Sequence, residues 1–350
     1  MIELTSIIER YRPRLQATYG ANMTRQHNRA IDAVMDCRTA RYGSMSLACD
    51  DCDTQSISHH ACGNRACHKC QHHDTSRWLD RQQQKLLPVN YFMATFTLPA
   101  ELRAVTARHQ KVFYNLLLEC ARSTLKTFAG NHPELDSGIG MTAVLHTHTR
   151  RLDYHPHVHV IVPAVSVDAK RRQCKKLPGD YLFNAFALAK VFRARFIEGM
   201  VALGYTVPTN IPGKWVVDCR LVGKGMPALK YLSRYLYRGV INEKNILRDD
   251  GERVTFGYVE SKTGAYKTRT VPGATFLWLV YQHVLPKGFR RVRDYGYLNG
   301  NAKNTLARIQ ASFGLLIARL PQVIRPPYRC QSCSGALRIV AFMKPVRPSG

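Results

Sequence analysis

The feature that most constrains this chain is His155-Pro156-His157-Val158-His159 running into Val160-Ile161-Val162. Side chains of an extended strand alternate between faces. A strand here sets His155, His157 and His159 on one side and Val158, Val160 and Val162 on the other. The valine face must be covered, and the opposite face then carries a row of imidazoles. Two or three nitrogens on a stiff element are what a divalent metal needs. A further ligand is expected from a neighbouring strand or the tyrosine helix described next. His146 and His148 stand on the preceding strand of the same hairpin, and Asp153 lies in its turn.

A second pattern is Tyr231-Leu232-Ser233-Arg234-Tyr235. Residues four apart share one side of a helix, and tyrosine is an established covalent nucleophile. Tyrosines in helices are more often core or interface residues. With Tyr237 close by, helix phase alone does not select a nucleophile. Charge narrows the partner. Lys+Arg is 51 against 24 for Asp+Glu, a formal net charge of +27, which points to a polyanion and above all to nucleic acid. No basic amphipathic helix or lipidation signal favours a membrane surface instead. The chain shows no secretory signal and no apolar run of transmembrane length, so the cytoplasm is the expected compartment. A metal face, a tyrosine pair and this charge together suggest an enzyme that breaks DNA strands.

The chain holds 11 cysteines. Cys37, Cys49, Cys52, Cys62, Cys67 and Cys70 form one knot, whose CxxC pairs read as Zn2+ ligands rather than disulfides in a cytosolic protein. They exceed one site, and His59, His60, His68 or His72 are candidates to complete a second. Cys330-x2-Cys333 reads as half a zinc ribbon whose other two ligands the tail does not obviously supply. Cys120, Cys174 and Cys219 read as ordinary small residues. The stretch from Lys287 to Arg293 interleaves Lys287, Arg290, Arg291 and Arg293 with Phe289, Tyr295 and Tyr297. This suits phosphate neutralisation with base stacking.

The elements read as follows. Residues 2–36 form two helices, with breaks at Pro13 and Gly20. A short helix covers 78–87. Then come a strand at 91–98, a helix at 101–128, strands at 139–147 and 154–165, a helix at 181–203, a strand at 214–221 and a helix at 228–238. This predicts an α+β fold whose central antiparallel sheet has split βαβ, ferredoxin-like topology. A hairpin (253–260 and 265–271), helices near 275–284 and 301–320 and a Pro-rich end follow. Three consecutive domains are expected: 1–88 helical and zinc-binding, 89–272 catalytic, and 273–350 basic with a CxxC.

These residues in this order resemble the two-tyrosine HUH rolling-circle insertion-sequence transposases, relatives of the helitrons. The resemblance covers nearly the whole chain. It rests on Cys62-Gly63-Asn64-Arg65-Ala66-Cys67, Phe96-Thr97-Leu98-Pro99, Leu145-His146-Thr147, the histidine strand, the tyrosine helix and His283-Val284-Leu285-Pro286-Lys287-Gly288-Phe289. It implies that His157 and His159 are the HUH pair, with His146 the first choice for the extra ligand, on Mg2+ or Mn2+. It implies Tyr231 and Tyr235 as nucleophiles, with Arg234 a stabiliser of the phenolate. The product would be a 5′-phosphotyrosine on single-stranded or locally melted DNA at element ends and target, in a bacterial cytoplasm beside the nucleoid. The chain departs from the family at Met45, where relatives often have histidine, and at His68, where they often have proline. A plasmid relaxase or replication initiator would use the same site. A zinc-dependent DNA-binding regulator would have the basic surface without the chemistry.

Overall fold

The computed structural model describes residues 2–70, 78–135, 138–168, 173–227, 229, 240–261, 263–315 and 328–346. The chain packs into two compact units, each drawn from separate stretches: 1–74, 237–284 and 319–350 in one, 75–236 and 285–318 in the other. This division cuts across the three consecutive segments read from the sequence, because segments distant in the chain pair with the N-terminal stretch. Among the described residues no helix is long and apolar enough to cross a membrane.

The second unit is built on a sheet of five antiparallel strands. They are β3 (Asn90–Thr97), β4 (Met141–His148), β5 (Tyr154–Pro163), β8 (Val216–Lys224) and β12 (Val292–Tyr295), in the order β12-β4-β5-β3-β8. One face carries Phe92, Ala94, Phe96, Val158, Val160, Val162, Ala143 and Leu145, all buried. Helices Gln110–Gly130 and Ala185–Ala202 bring Phe113, Leu117, Leu118, Ala121, Phe192 and Phe196 to the same core. Each fully buried Phe, Leu or Val there contributes roughly 1.5–3 kcal/mol. A Cβ on Gly199 would come within 2.4 Å of Leu116 Cδ1, so the glycine leaves room for the Leu116 side chain in its present rotamer between these two helices. The expected helix 101–128 is two, Arg103–Arg108 and Gln110–Gly130, because His109 leaves helical geometry (φ −121, ψ 44). A small hairpin, β6 (Val165–Asp168) and β7 (Gln173–Lys176), follows β5.

In the first unit, β1 (Ser44–Cys49) pairs with β2 (Gln55–His59) on one side and with β14 (Ala336–Met343) on the other; β13 (Tyr328–Arg329) joins β14. The strands β9 (Ile246–Asp249), β10 (Arg253–Val259) and β11 (Tyr266–Pro272) make a second sheet, as the expected hairpin required. The helix Gly273–Tyr281 is apolar nearly all round and packs on the first helix, Leu4–Tyr19. Gly273 admits the Tyr11 ring, Tyr19 stacks on Trp278 at 5.2 Å, and Tyr11 Oη donates to Asp249 at 2.6 Å. These contacts tie 240–284 to the N-terminus. Pro13 does not break the first helix. It forfeits one backbone bond, but the buried line Ile7, Ile8, Tyr11 and Leu15 continues through it.

Candidate metal centre

The apolar residues of β5 face the helices, so alternation turns His157 and His159 to the other side of the sheet. Register completes the site. His157 lies opposite His146 on β4 and Thr97 on β3, and His159 lies opposite Thr95. Pro156 has no N–H to give the ladder, and beside it the β4–β5 register slips between His146 and His148, a bulge of the kind found where proline sits in a sheet. The tight return is held by Thr149, whose Oγ1 accepts from the backbone N–H of Arg151 and Asp153, each at 3.2 Å.

His146, His157 and His159 each offer a ring nitrogen within 4.8 Å of the others. Their ring centroids are 5.2 Å (146–157), 4.6 Å (146–159) and 4.9 Å (157–159) apart. His157 Nδ1 donates to the carbonyl of His155 at 2.7 Å, which leaves the Nε2 lone pair to the cluster. His159 Nδ1 meets Thr95 Oγ1 at 2.9 Å. Such hydrogen bonds fix ring orientation in metal sites. His155 Nδ1 instead meets Arg103 Nη2 at 2.8 Å, so the expected row of three strand histidines is a pair plus His146.

Electrostatics agrees with ligation. Burial pushes the His157 imidazole down to about 4. Burial holds His146 and His159 well below the ordinary range, helped by the neighbouring rings and by Arg291, and at His159 by Arg220. All three are therefore neutral at neutral pH, as metal ligands must be. Three neutral imidazoles on one rigid hairpin fit a divalent cation, whose span closes by small ring rotations. Two cations stand close by: Arg291, whose Nε donates to the carbonyl of Leu145 at 2.9 Å, and Arg220.

Tyr231, Arg234, Tyr235 and Tyr237 lie outside the described residues. The basic segment is described, and it corrects one expectation. Phe289 and Tyr297 are each only 3 % exposed: Phe289 packs edge-on to Tyr114 and Tyr297 Oη donates to the carbonyl of Val165. They are core residues, because β12 joins the sheet and turns its neighbours inward, and they offer no surface for stacking bases. Arg293 is engaged by Asn115 and lies over the Phe289 ring at 5.3 Å. Lys287 and Arg290 point outward and keep the role of phosphate contacts open.

The cysteine knot divides. Cys37, Cys62, Cys67 and Cys70 gather within 4.8 Å, and Cys49 and Cys52 stand elsewhere, with Cys330 and Cys333. The first group fits a structural Zn2+ held by four thiolates. No histidine is needed to complete either group. His59 Nδ1 meets Ser44 Oγ at 2.6 Å, His60 stacks on Phe342, His68 Nε2 sits 2.9 Å from Glu243, and His72 lies outside the described residues. Counting CxxC pairs, Cys49-x2-Cys52 against Cys330-x2-Cys333, was the signal in the sequence that could have found this partition. Thr95 and Arg220 are the site neighbours that motif reading passed over, and only strand register reveals them.

Comparison with known proteins places these features. Residues 140–305 match the family model described as "Putative transposase", and residues 7–98 match the "Transposase zinc-binding domain". "Putative transposase y4qJ" of Sinorhizobium fredii (strain NBRC 101917 / NGR234) is 30% identical over 343 residues, covering 90% of this chain and 85% of that one. The transposase for insertion sequence element IS801 of Pseudomonas savastanoi pv. phaseolicola is 27% identical over 300 residues, covering 77% and 69%. Among solved structures, TrwC complexed with a 27-mer DNA comprising the recognition hairpin and the cleavage site covers 65% of this chain and 75% of its own. It has 12% identity and a TM-score of 0.29, too remote a likeness to carry an argument.

Proposed function

This chain belongs to the insertion-sequence transposase family that carries the transposase zinc-binding domain, and on that premise we propose that it is a rolling-circle DNA transposase. It nicks single-stranded DNA at element ends through a 5′-phosphotyrosine and transfers the strand to a target. The observation that carries this reading is the cluster of His146, His157 and His159 inside the segment matching the transposase model. The sheet order, with two helices on one face, supports reading this unit as the ferredoxin-like arrangement of the HUH class.

The chemistry follows from the groups at hand. A Mg2+ or Mn2+ on the three imidazoles would polarise the scissile phosphate and offset the charge that develops on it. The neutral imidazoles present lone pairs without adding positive charge of their own, and Thr95 and the His155 carbonyl hold the HUH rings in orientation. Arg291 and Arg220 add fixed positive potential near the histidines, which favours a phosphodiester there. Tyr231 and Tyr235 are the nucleophiles in this reading. The phenol oxygen bonds to phosphorus, the bond to the 3′ oxygen breaks, and the phenol proton ends on the departing 3′-OH. Arg234 favours the phenolate. The bond energy is kept in the phosphotyrosine, so rejoining to a new 3′-OH needs no ATP. Lys287 and Arg290 contact the phosphates of the strand. The four thiolates of Cys37, Cys62, Cys67 and Cys70 hold a zinc ion that stabilises the N-terminal module.

The test is a labelled single strand carrying an element end, incubated with Mn2+ and run on a denaturing gel. The wild type should form a covalent adduct and then a joined product. Tyr231→Phe and Tyr235→Phe should each remove a different step, because Phe keeps the ring and deletes the oxygen, and the double variant should form no adduct. An adduct in the double variant would move the nucleophile elsewhere. Nicking without joining would favour a relaxase or replication initiator, and binding without any adduct a DNA-binding regulator.

A further inference from the structure

We propose that Cys49, Cys52, Cys330 and Cys333 form a second zinc site, which clasps the C-terminal tail onto the N-terminal module. Cys330 and Cys333 lie outside the residues 7–98 that match the zinc-binding domain, so the family match does not supply this site.

The four sulfurs all lie within 4.8 Å of one another, with Cys49 Sγ 3.4 Å from Cys333 Sγ and Cys52 Sγ 3.7 Å from Cys330 Sγ. A disulfide needs about 2.05 Å. A tetrahedron of thiolates on Zn2+, with Zn–S about 2.3 Å, has edges of about 3.8 Å. The separations match the second and not the first, and they are close to those of the first group, where Cys37 and Cys62 lie 3.5 and 3.6 Å from Cys70.

The backbone is shaped in the same way at both halves. The residue after each CxxC turns into the left-handed region, Asp53 at φ 53 after Cys52 and Ser334 at φ 62 after Cys333. That turn lets the chain fold back behind the sulfurs: Cys49 N–H donates to the carbonyl of Thr54 at 3.0 Å, and Cys330 N–H to that of Gly335 at 2.9 Å. The two knuckles meet closely. A Cβ on Gly335 would fall 2.0 Å from Asp51 Oδ2, so the bare glycine lets the tail pass the first knuckle with the Asp51 side chain where it stands. Two arginines brace the knuckles: Arg338 Nε on the tail donates to Asp50 Oδ1 of the first knuckle at 2.7 Å, and Arg329 Nη1 donates to the carbonyl of Ser334 at 3.1 Å.

The site closes the end of a strand pair. β14 runs antiparallel to β1 from Ser44↔Met343 to Cys49↔Leu337, so Cys49 is where the ladder enters the metal cluster. β1 is thus held between β2 and a strand made almost 300 residues later, and its sheet is complete only when Met343 has been synthesised. The clasp makes the N-terminal module dependent on an intact C-terminus.

The test is zinc per full-length chain, by elemental analysis after exhaustive dialysis. Wild type should hold two ions and Cys330→Ser with Cys333→Ser one, while Cys330→His, which keeps a ligand, should restore two. Hydrogen exchange of β1 should quicken in the double serine variant. A wild-type value of one, or a double variant that keeps two, would overturn the proposal. Cadmium NMR of the substituted wild type covers a variant that fails to fold: two tetrathiolate resonances are expected, and a single one would overturn the proposal.

Discussion

The histidine cluster and the cysteine clusters are both metal-shaped, but they are assembled in opposite ways. All three imidazoles come from one hairpin, between His146 and His159, and strand register alone sets their spacing. The eight thiols come from stretches as far apart as Cys37 and Cys333. A hairpin presents its donors before any ion arrives, because its geometry is fixed by backbone hydrogen bonds and by a valine face buried against two helices. The cysteine clusters join loops and strand ends with few apolar contacts of their own, so the ion itself must contribute to the fold. On the proposed function, the difference separates a site built for chemistry from sites built for architecture.

The largest effect that should divide the two regions is metal removal. Stripping zinc with a strong chelator under reducing conditions should raise amide exchange in β1, β2 and β14 by about 100-fold or more, as local structure there opens. Exchange in β3, β4 and β5 should stay slow. Equal loss of protection in both sets would erase the distinction.

A smaller effect sharpens the histidine side. Thr95→Val keeps the shape of the side chain and removes the hydroxyl that meets His159 Nδ1. Loss of an orienting partner of this kind should weaken Mn2+ binding by about 10-fold to 100-fold. Titration calorimetry on the variant would read it, with the melting temperature nearly unchanged. Wild-type affinity would show that Thr95 does not orient the ligand.

The smallest effect is with pH. The His157 imidazole is pushed down to about 4 by burial, as is His27 in the other unit. Their unfolded forms take up protons at about 6.5. Below that value the unfolded chain gains protons that the folded chain refuses, so stability is full above about 6.5 and falls as the pH drops toward 4. Metal binding at the histidines should persist at pH 5.5, where exposed imidazoles would already have lost it. Melting temperatures and Mn2+ titrations between pH 7.5 and about 4.5 check both statements. A melting temperature that rises on acidification would reverse the assigned sign.

Much of the histidine site was legible because it is local. The alternation of His157, Val158 and His159 fixed the two faces, and Arg150 to Asp153 marked the return to His146. The hairpin at 253–271 was legible for the same reason. What escaped reading depends on pairing between distant segments. β12 is four residues long and carries no periodic signal, yet it extends the sheet beside β4, where Thr142 Oγ1 donates to Asp294 at 2.6 Å. Its arrival explains why Phe289 and Tyr297 belong to the core rather than to a stacking surface. The tail strand β14 reads as an ordinary basic end until Cys330 and Cys333 are seen beside Cys49 and Cys52. Pro13 stays within the first helix because the buried face that continues past it offsets the proline's local cost, which sequence pattern alone does not show.

The most direct test of the central claim, that the hairpin imidazoles bind the ion that serves DNA cleavage, compares wild type with His157→Ala and His159→Ala. Adduct formation on a labelled single strand is followed as Mn2+ is raised, with melting temperatures taken alongside. The account predicts a loss of adduct of about 100-fold or more in both variants, not restored by excess Mn2+, with folding retained because neither residue belongs to the apolar face. Adduct formed at the wild-type rate by both folded variants would contradict it.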